Sequence, residues 1–187
     1  MTAAFAALYI ILVQVHYDLT YNRAIPDSER VYLMTLPSLG GSGLKQQSFL
    51  ARPVAEMGLA DNPYVETYGV AALDDVNQVN VIVGEGTAAK THSVTFAQMT
   101  SGALKTFGIQ PVMGSFEDIG EGGYVAISES AAERLGVAVD SVLQLESWGR
   151  TNYFVVRAIY KDLPVASDLK NIEVIRCNQL ETQDLTS

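Results

Sequence analysis

The start of the chain restricts it most. Ala3 to Val15, AAFAALYIILVQV, carries one strongly polar residue, Gln14, and no charge. As a helix such a run rises roughly 20 Å, whereas a bilayer core is roughly 30 Å thick and takes about 20 apolar residues. Too short to span alone, it is expected to be the outer part of a membrane helix. Tyr17 and Tyr21 follow one helical turn apart, with Asp18, Asn22 and Arg23 beside them. Amphipathic tyrosines next to the first charges are what a helix shows where it leaves lipid for water. A signal peptide would want a basic stretch before the apolar run, and Met1-Thr2 supplies none. The competing reading is a helix buried in an ordinary soluble domain.

The rest of the composition narrows the function classes. With 187 residues, 48% hydrophobic and 18% charged, the chain is globular rather than disordered. Net charge is −9 and the basic residues are scattered, so no basic stripe exists to neutralise the phosphates of a nucleic acid. The single cysteine, Cys177, excludes an internal disulfide and any multi-cysteine zinc site.

In order, Ile25-Pro26-Asp27-Ser28 is expected to break the helix, and Arg30 to Leu36 reads as a strand. The glycine-rich turn Pro37 to Gly43 leads to a near-helical spacing over Leu44 to Gly58. Val65 to Leu73 reads as a strand, Asp74-Asp75 as a turn, and Val79 to Val83 with Thr91 to Phe96 as a hairpin. Thr100 or Ser101 caps a short helix that stops at Gly108. Tyr124 to Ile127 is a strand, followed by a helix Glu129 to Leu135 between the cap Ser128 and the stop Gly136. Val142 to Glu146 and Tyr153 to Tyr160 are strands flanking the turn Trp148-Gly149-Arg150, and Asn171 to Cys177 is the last. The order predicts an α+β fold: a ferredoxin-like β-α-β-β-α-β lobe with a small β-rich lobe inserted before the final strand.

Several stretches, taken together, resemble one family. Tyr21 to Tyr32, YNRAIPDSERVY, is similar to the first periplasmic segment of MacB/FtsX-type ABC transporter permeases. Val125 to Leu169, with VAISESAAERLG and YFVVRAIYKDLP, resembles the later signature of that family, and Met99 to Gly114, MTSGALKTFGIQPVMG, the helix between. Asn22 stands where the family usually has Asp, Ala24 and Ile25 replace Phe-His, and Leu135 runs into Gly136 without the usual Phe. The resemblance implies a porter-like first lobe over 17–108, an inserted sabre-like lobe over 109–169, and a return strand with lead-in to the next membrane helix over 170–187. Residues 1–16 are then the end of the first membrane helix. It further implies a bacterial inner-membrane protein whose domain faces the periplasm, a dimer in the full transporter, and an ATPase on a separate subunit.

No constellation of catalytic, cofactor or metal-ligating residues emerges. Val79 to Ala89, VNVIVGEGTAA, contains a G-x-G-x-x-A, but a strand rather than a long helix follows, so a hairpin tip is expected. In Gly40 to Lys45 the lysine does not directly follow the last glycine of a P-loop. Glu117, Asp118 and Glu121 lack the alternating pattern of a Ca²⁺ loop. His16 and His92 have no partner at ligand or triad spacing, and Ser128 and Ser130 lack the glycines of a nucleophile elbow.

The reading that results is a non-catalytic domain that passes ATP-driven motion of membrane helices to a periplasmic protein, lipoprotein or peptide cargo. Tyr17, Asp18, Tyr21 and Arg23 are the expected coupling region, with Arg30 to Leu36 anchoring its end in a sheet. Met113, Phe116, Trp148, Arg150 and Asn152 are the expected partner contacts. The alternative is a membrane-tethered ligand-sensing domain, which would continue past Ser187 into a signalling helix rather than a second membrane helix.

Overall fold

The computed structural model describes residues 2–34, 36–37, 46–47, 57–84, 89–147 and 150–177. A long helix α1 (Thr2–Thr20) opens the chain, and a 3-10 turn follows at Ser28–Arg30. Two short strands, β1 (Leu36–Pro37) and β2 (Gln46–Gln47), pair with each other alone. The body comprises β3 (Ala71–Val83), β4 (Lys90–Met99), helix α2 (Ser101–Thr106), β5 (Pro111–Gly114) and β6 (Tyr124–Ser128). Helix α3 (Glu129–Leu135), β7 (Val142–Ser147), β8 (Arg150–Tyr160) and β9 (Val174–Cys177) complete it.

These strands close into a six-stranded barrel in the order β8-β6-β9-β4-β3-β7, with β7 pairing back onto β8. Closure turns on β8. Its first half pairs antiparallel with β7, from Ser147↔Arg150 to Val142↔Val155; its second half pairs parallel with β6, from Tyr124↔Val155 to Ser128↔Tyr160. Past the end of β7, the same edge of β8 is taken by β5, outside the ring (Pro111↔Tyr160).

The ferredoxin-like β-α-β-β-α-β arrangement expected from the element order is therefore not the fold. An open sheet needs helices long enough to cover one face. Here α2 and α3, at six and seven residues, reach only about 10 Å each, whereas β3 alone, at thirteen residues, extends roughly 40 Å. The apolar face is buried by curling the sheet on itself instead. Val81, Val94, Val125, Leu143, Val156 and Val174, one from each barrel strand, meet inside. The side chains of α3 join that interior cluster through Ala131, Ala132 and Leu135, so α3, which directly follows β6, plugs the end of the barrel where β6 finishes. Ala97, Ala126, Ala158 and Ile175 point the other way and pack under α2, Ile25, Ile109 and Leu169 in a second, outer cluster.

Other local expectations divide. The pairing of the two strands is present, Val83 with Lys90 and Val79 with Val94; of the G-x-G-x-x-A, Gly84 follows β3 and Ala89 precedes β4, and 85–88 lie outside the described residues. Thr100 Oγ1 caps α2 at Ala103 N (3.3 Å) and Ser128 Oγ caps α3 at Ala131 N (3.4 Å), while Gly136 ends α3 at φ +67°. Residues 65–70 are not a strand, and Asp74-Asp75 do not reverse the chain. They lie within β3, where the register against β4 shifts between Ala72 and Asn77. The strand expected over Arg30 to Leu36 is not formed across the described residues: Arg30 closes the 3-10 turn, 31–34 belong to no strand, only Leu36 enters the short β1, and Tyr32 and Leu33 are exposed. The helix expected over Leu44 to Gly58 and the turn residue Trp148 fall mostly outside the described residues.

Residues 68–70 cross the first turn of α2 at backbone contact. Val70 N donates to Thr100 Oγ1 (3.0 Å) and Thr100 N to Val70 O (2.9 Å). A β-carbon on Gly69 would stand 2.0 Å from Ala103 N, and one on Gly102 1.9 Å from Tyr68 O. Neither clash involves a side chain that can swing away. Gly69→Ala and Gly102→Ala are each expected to destabilise the domain by at least about 2 kcal/mol, whereas Gly122→Ala, in open space, is expected to fall within about 0.5 kcal/mol of the parent. Urea unfolding of the three variants checks the contrast.

Candidate functional site

The site is the junction where α1 meets the body. From Phe5 to His16 every residue of the helix is exposed, Phe5 and Tyr9 at 69% and Ile10 at 66%. The apolar run is thus not part of the interior. Among the described residues no helix is long and apolar enough to cross a membrane, since the second half of α1 brings in Gln14, His16 and Asp18.

The helix stops because its last turn satisfies its own carbonyls and then changes hand. Thr20 Oγ1 donates back to His16 O (2.8 Å) and Tyr17 O (3.1 Å). Asn22 takes up left-handed backbone at φ 59°, a conformation asparagine tolerates better than most residues. Arg23 N then donates to Thr20 O and Ile25 N to Asn22 O. Ile25 is buried in the outer cluster. Pro26 lies so close to Gly108 that a β-carbon there would meet its Cγ at 2.4 Å. The chain is pinned within five residues of leaving the helix.

A second connection is made by residues far along the sequence. Asn22 N donates to Ala166 O (2.8 Å), and Asp168 N donates to Asn22 Oδ1 (3.1 Å). Asn22 Nδ2 donates to Asp168 Oδ2 (2.9 Å), while the Tyr21 hydroxyl donates to Asp168 Oδ1 (2.8 Å). Both oxygens of one carboxylate therefore hold the helix end, and charge-assisted bonds of this kind are stronger than neutral ones. The loop that carries them is itself fixed: Ser167, fully buried, donates to Pro164 O (2.6 Å), and Leu169 sits in the outer cluster. It leads directly into β9, the strand between β4 and β6.

Of the four expected coupling residues, the junction uses one directly. Tyr21 bonds Asp168. Tyr17 is half-buried and lies against Tyr21, ring centroids 5.7 Å apart. Asp18 faces back along the helix and accepts from Gln14 Nε2 (2.9 Å). Arg23 is exposed and makes no ion pair with a described residue. Asn22 and Asp168 carry more of the junction than any of these. In the sequence Asn22 stood out only as one of the polar residues beside the tyrosines and as a departure from the family's Asp, although asparagine's tolerance of left-handed backbone could have marked it; Asp168 gave no local signal.

The expected partner contacts do not form one surface. Met113 on β5 is exposed and opposite Ile159, and Phe116 packs against the outer cluster. Arg150 and Asn152 are exposed at the start of β8; seven residues of strand, roughly 23 Å, separate Asn152 from Ile159.

No protein-family model matches the chain, and no curated protein matches it. Among solved structures it is similar to the periplasmic region of MacB from Actinobacillus actinomycetemcomitans, at 12% identity and a TM-score of 0.49, over 72% of this chain and 58% of that one. It is also similar to the extracellular domain of the noncanonic ABC-type transporter YknZ from Gram-positive bacteria, at 16% identity and 0.46, over 65% and 59%. A third similarity is to a domain from Porphyromonas gingivalis described as that of a permease, at 17% identity and 0.48, over 59% and 48%. The chain thus spans between 48% and 59% of the length of these three.

The phenol–carboxylate bond raises the Tyr21 pKa above its ordinary 10.0, the hydrogen bond from its hydroxyl to Asp168 being the main cause, ahead of desolvation and the carboxylate's charge. Because the folded value is the higher, the bond's contribution is fully present below the unfolded tyrosine pKa and is lost as pH rises through the folded one. Asp168→Ala is expected to bring the Tyr21 titration back down toward 10. An alkaline titration of the phenol signal, with Tyr21→Phe to identify it, checks the direction. An unchanged midpoint would mean the bond is not made in solution.

Proposed function

We infer that this chain is the outward-facing domain of an ABC-type permease, with α1 seated in the outer half of the membrane. Its work is mechanical rather than catalytic. The observation that carries the reading is the pairing of an apolar helix stretch, exposed from Phe5 to His16, with a carboxylate latch at the point where that helix joins the barrel. Exposing this much contiguous apolar surface to water is unfavourable, and lipid relieves it; the latch would be superfluous if α1 were only a loose tether. The ordered resemblance of Tyr21 to Tyr32, Met99 to Gly114 and Val125 to Leu169 to permeases of the MacB/FtsX type supports the same reading. In it, ATP hydrolysis belongs to a separate subunit. Displacement of α1 reaches the body through Tyr21, Asn22 and Asp168, with Tyr17, Asp18 and Arg23 at the membrane surface beside them. A periplasmic protein, lipoprotein or peptide is the partner, and Met113 and Phe116 at one end of β8 and Arg150 and Asn152 at the other are two separate contact regions.

The test uses the complete gene product co-expressed with its ATPase. The two are expected to purify together, with ATP turnover raised by the association. Tyr21→Phe combined with Asp168→Ala is expected to leave the circular dichroism of the barrel unchanged while breaking the link between turnover and the transport-dependent phenotype. Failure of any ATPase to associate would defeat the reading, as would a double variant with unaltered coupling.

A further inference from the structure

The loop that holds the end of α1 also carries an apolar residue to the surface. Between β8 and β9 the chain alternates in what it buries. Leu163 packs against the outer cluster, Val165 is 76% exposed, and Ser167 and Leu169 are buried again. The loop is bonded to itself: Ser167 Oγ donates to Pro164 O (2.6 Å) and accepts from Leu169 N (3.3 Å), and Lys170 N donates to Ser167 O (3.2 Å). Val165 is thus held out by a fixed loop rather than by a free end.

One exposed valine on a protein surface needs no explanation. What sets Val165 apart is the place of its loop. Ala166 O accepts from Asn22 N (2.8 Å), so Val165 lies one residue from a backbone contact with the chain just past α1. Membrane helices tilt by about 20° on average and seldom beyond about 40°. A segment bonded beside the end of such a helix therefore lies at nearly the depth of that end. From Tyr17 to Asn22 the helical rise is roughly 7 Å, and the headgroup layer outside the hydrocarbon core is about 5 to 8 Å thick. With Tyr17 at the edge of the hydrocarbon, the loop stands in the headgroup layer. Leu19, at that depth on the helix itself, is also exposed. Arg23 and Lys170, on either side of the latch, are exposed and pair with no carboxylate among the described residues, which leaves both charges available to lipid phosphate.

On the reading of α1 as a membrane helix, on which this contact rests, we propose that the 163–166 loop is a second contact with the bilayer. Val165 sits in the headgroup layer of the leaflet from which α1 emerges. The body is then held to the membrane at two points instead of hanging from one, and it cannot lean away without lifting Val165 out of that layer.

The experiment places the complete protein in phosphatidylcholine vesicles. A nitrobenzoxadiazole dye is attached to single cysteines introduced as Leu12→Cys, Tyr153→Cys and Val165→Cys. Cys177 is buried and stays in place, with the parent protein as the labelling blank. Quenching by a nitroxide on the lipid headgroup is compared with quenching by one midway along the acyl chain. Position 165 is expected to be quenched several-fold more by the headgroup nitroxide, and position 12 several-fold more by the acyl-chain one. Position 153, also an exposed apolar residue but roughly 23 Å of strand before Tyr160, is expected to respond to neither. No quenching at 165 alongside acyl-chain quenching at 12 would overturn the proposal and leave the reading of α1 standing. No quenching at 12 would defeat that reading, and the second contact with it. Equal quenching at 153 and 165 would mean general adsorption of the domain, and shielding of 165 from both nitroxides and from aqueous iodide would mean that protein covers it. Either result also overturns the proposal.

Discussion

Six strands with apolar inward faces and two helices of barely two turns each leave one way to exclude water: the sheet must close. The rest of the architecture follows from that constraint. Closure needs a strand long enough to pair with different neighbours along its length, and β8 meets it by holding β7 with its first half and β6 with its second. One end then needs a plug, which α3 supplies through Ala131, Ala132 and Leu135. The outer side of β4, β9, β6 and β8 needs a cover. Helix α2, Ile25 and the 163–172 segment provide it.

That cover is also where the exposed helix is attached. Ile25 and Leu169 belong to one buried cluster, and the hydrogen bonds from Tyr21 and Asn22 to Asp168 join residues that stand shortly before each of them in sequence. Apolar packing resists withdrawal of the segment, and the two-oxygen carboxylate contact fixes its direction. The same loop feeds β9, so the junction is continuous in the chain with the strand that lies between β4 and β6. At that strand Glu173 is held tightly: Thr95 N donates to its Oε2 (2.9 Å), Ser128 N to its carbonyl (2.9 Å), and Arg134 pairs with its other oxygen. The junction loop therefore runs into a cross-linked strand rather than a free edge.

Local chemistry was well written into the sequence and long-range pairing was not. Thr100, Ser128 and Gly136 announce helix ends because capping acts over three or four residues. The hairpin of β3 and β4 was legible for the same reason. The ferredoxin-like expectation failed because alternation along a strand states which side faces inward but not which strand lies beside it. Nothing local marks β8 as the strand that closes a ring. Asp74-Asp75 resembled a turn, yet the chain absorbs the pair as a register shift inside β3. The junction was half visible. Tyr21 was singled out by its place after the apolar run, whereas Asp168 acts on a residue 146 positions away.

The most direct test of the account is the environment of α1 when the complete protein is in a bilayer. Nitroxide labels placed singly at positions 8, 12 and 23 of the protein in nanodiscs would be compared for collision with oxygen, which concentrates in lipid, and with a water-soluble nickel chelate. The account predicts oxygen-dominated relaxation at positions 8 and 12 and nickel-dominated relaxation at 23, with the change falling beside Tyr17 and Tyr21. Nickel accessibility at all three positions, or protection of 8 and 12 from both reagents by packing on the barrel, would contradict it.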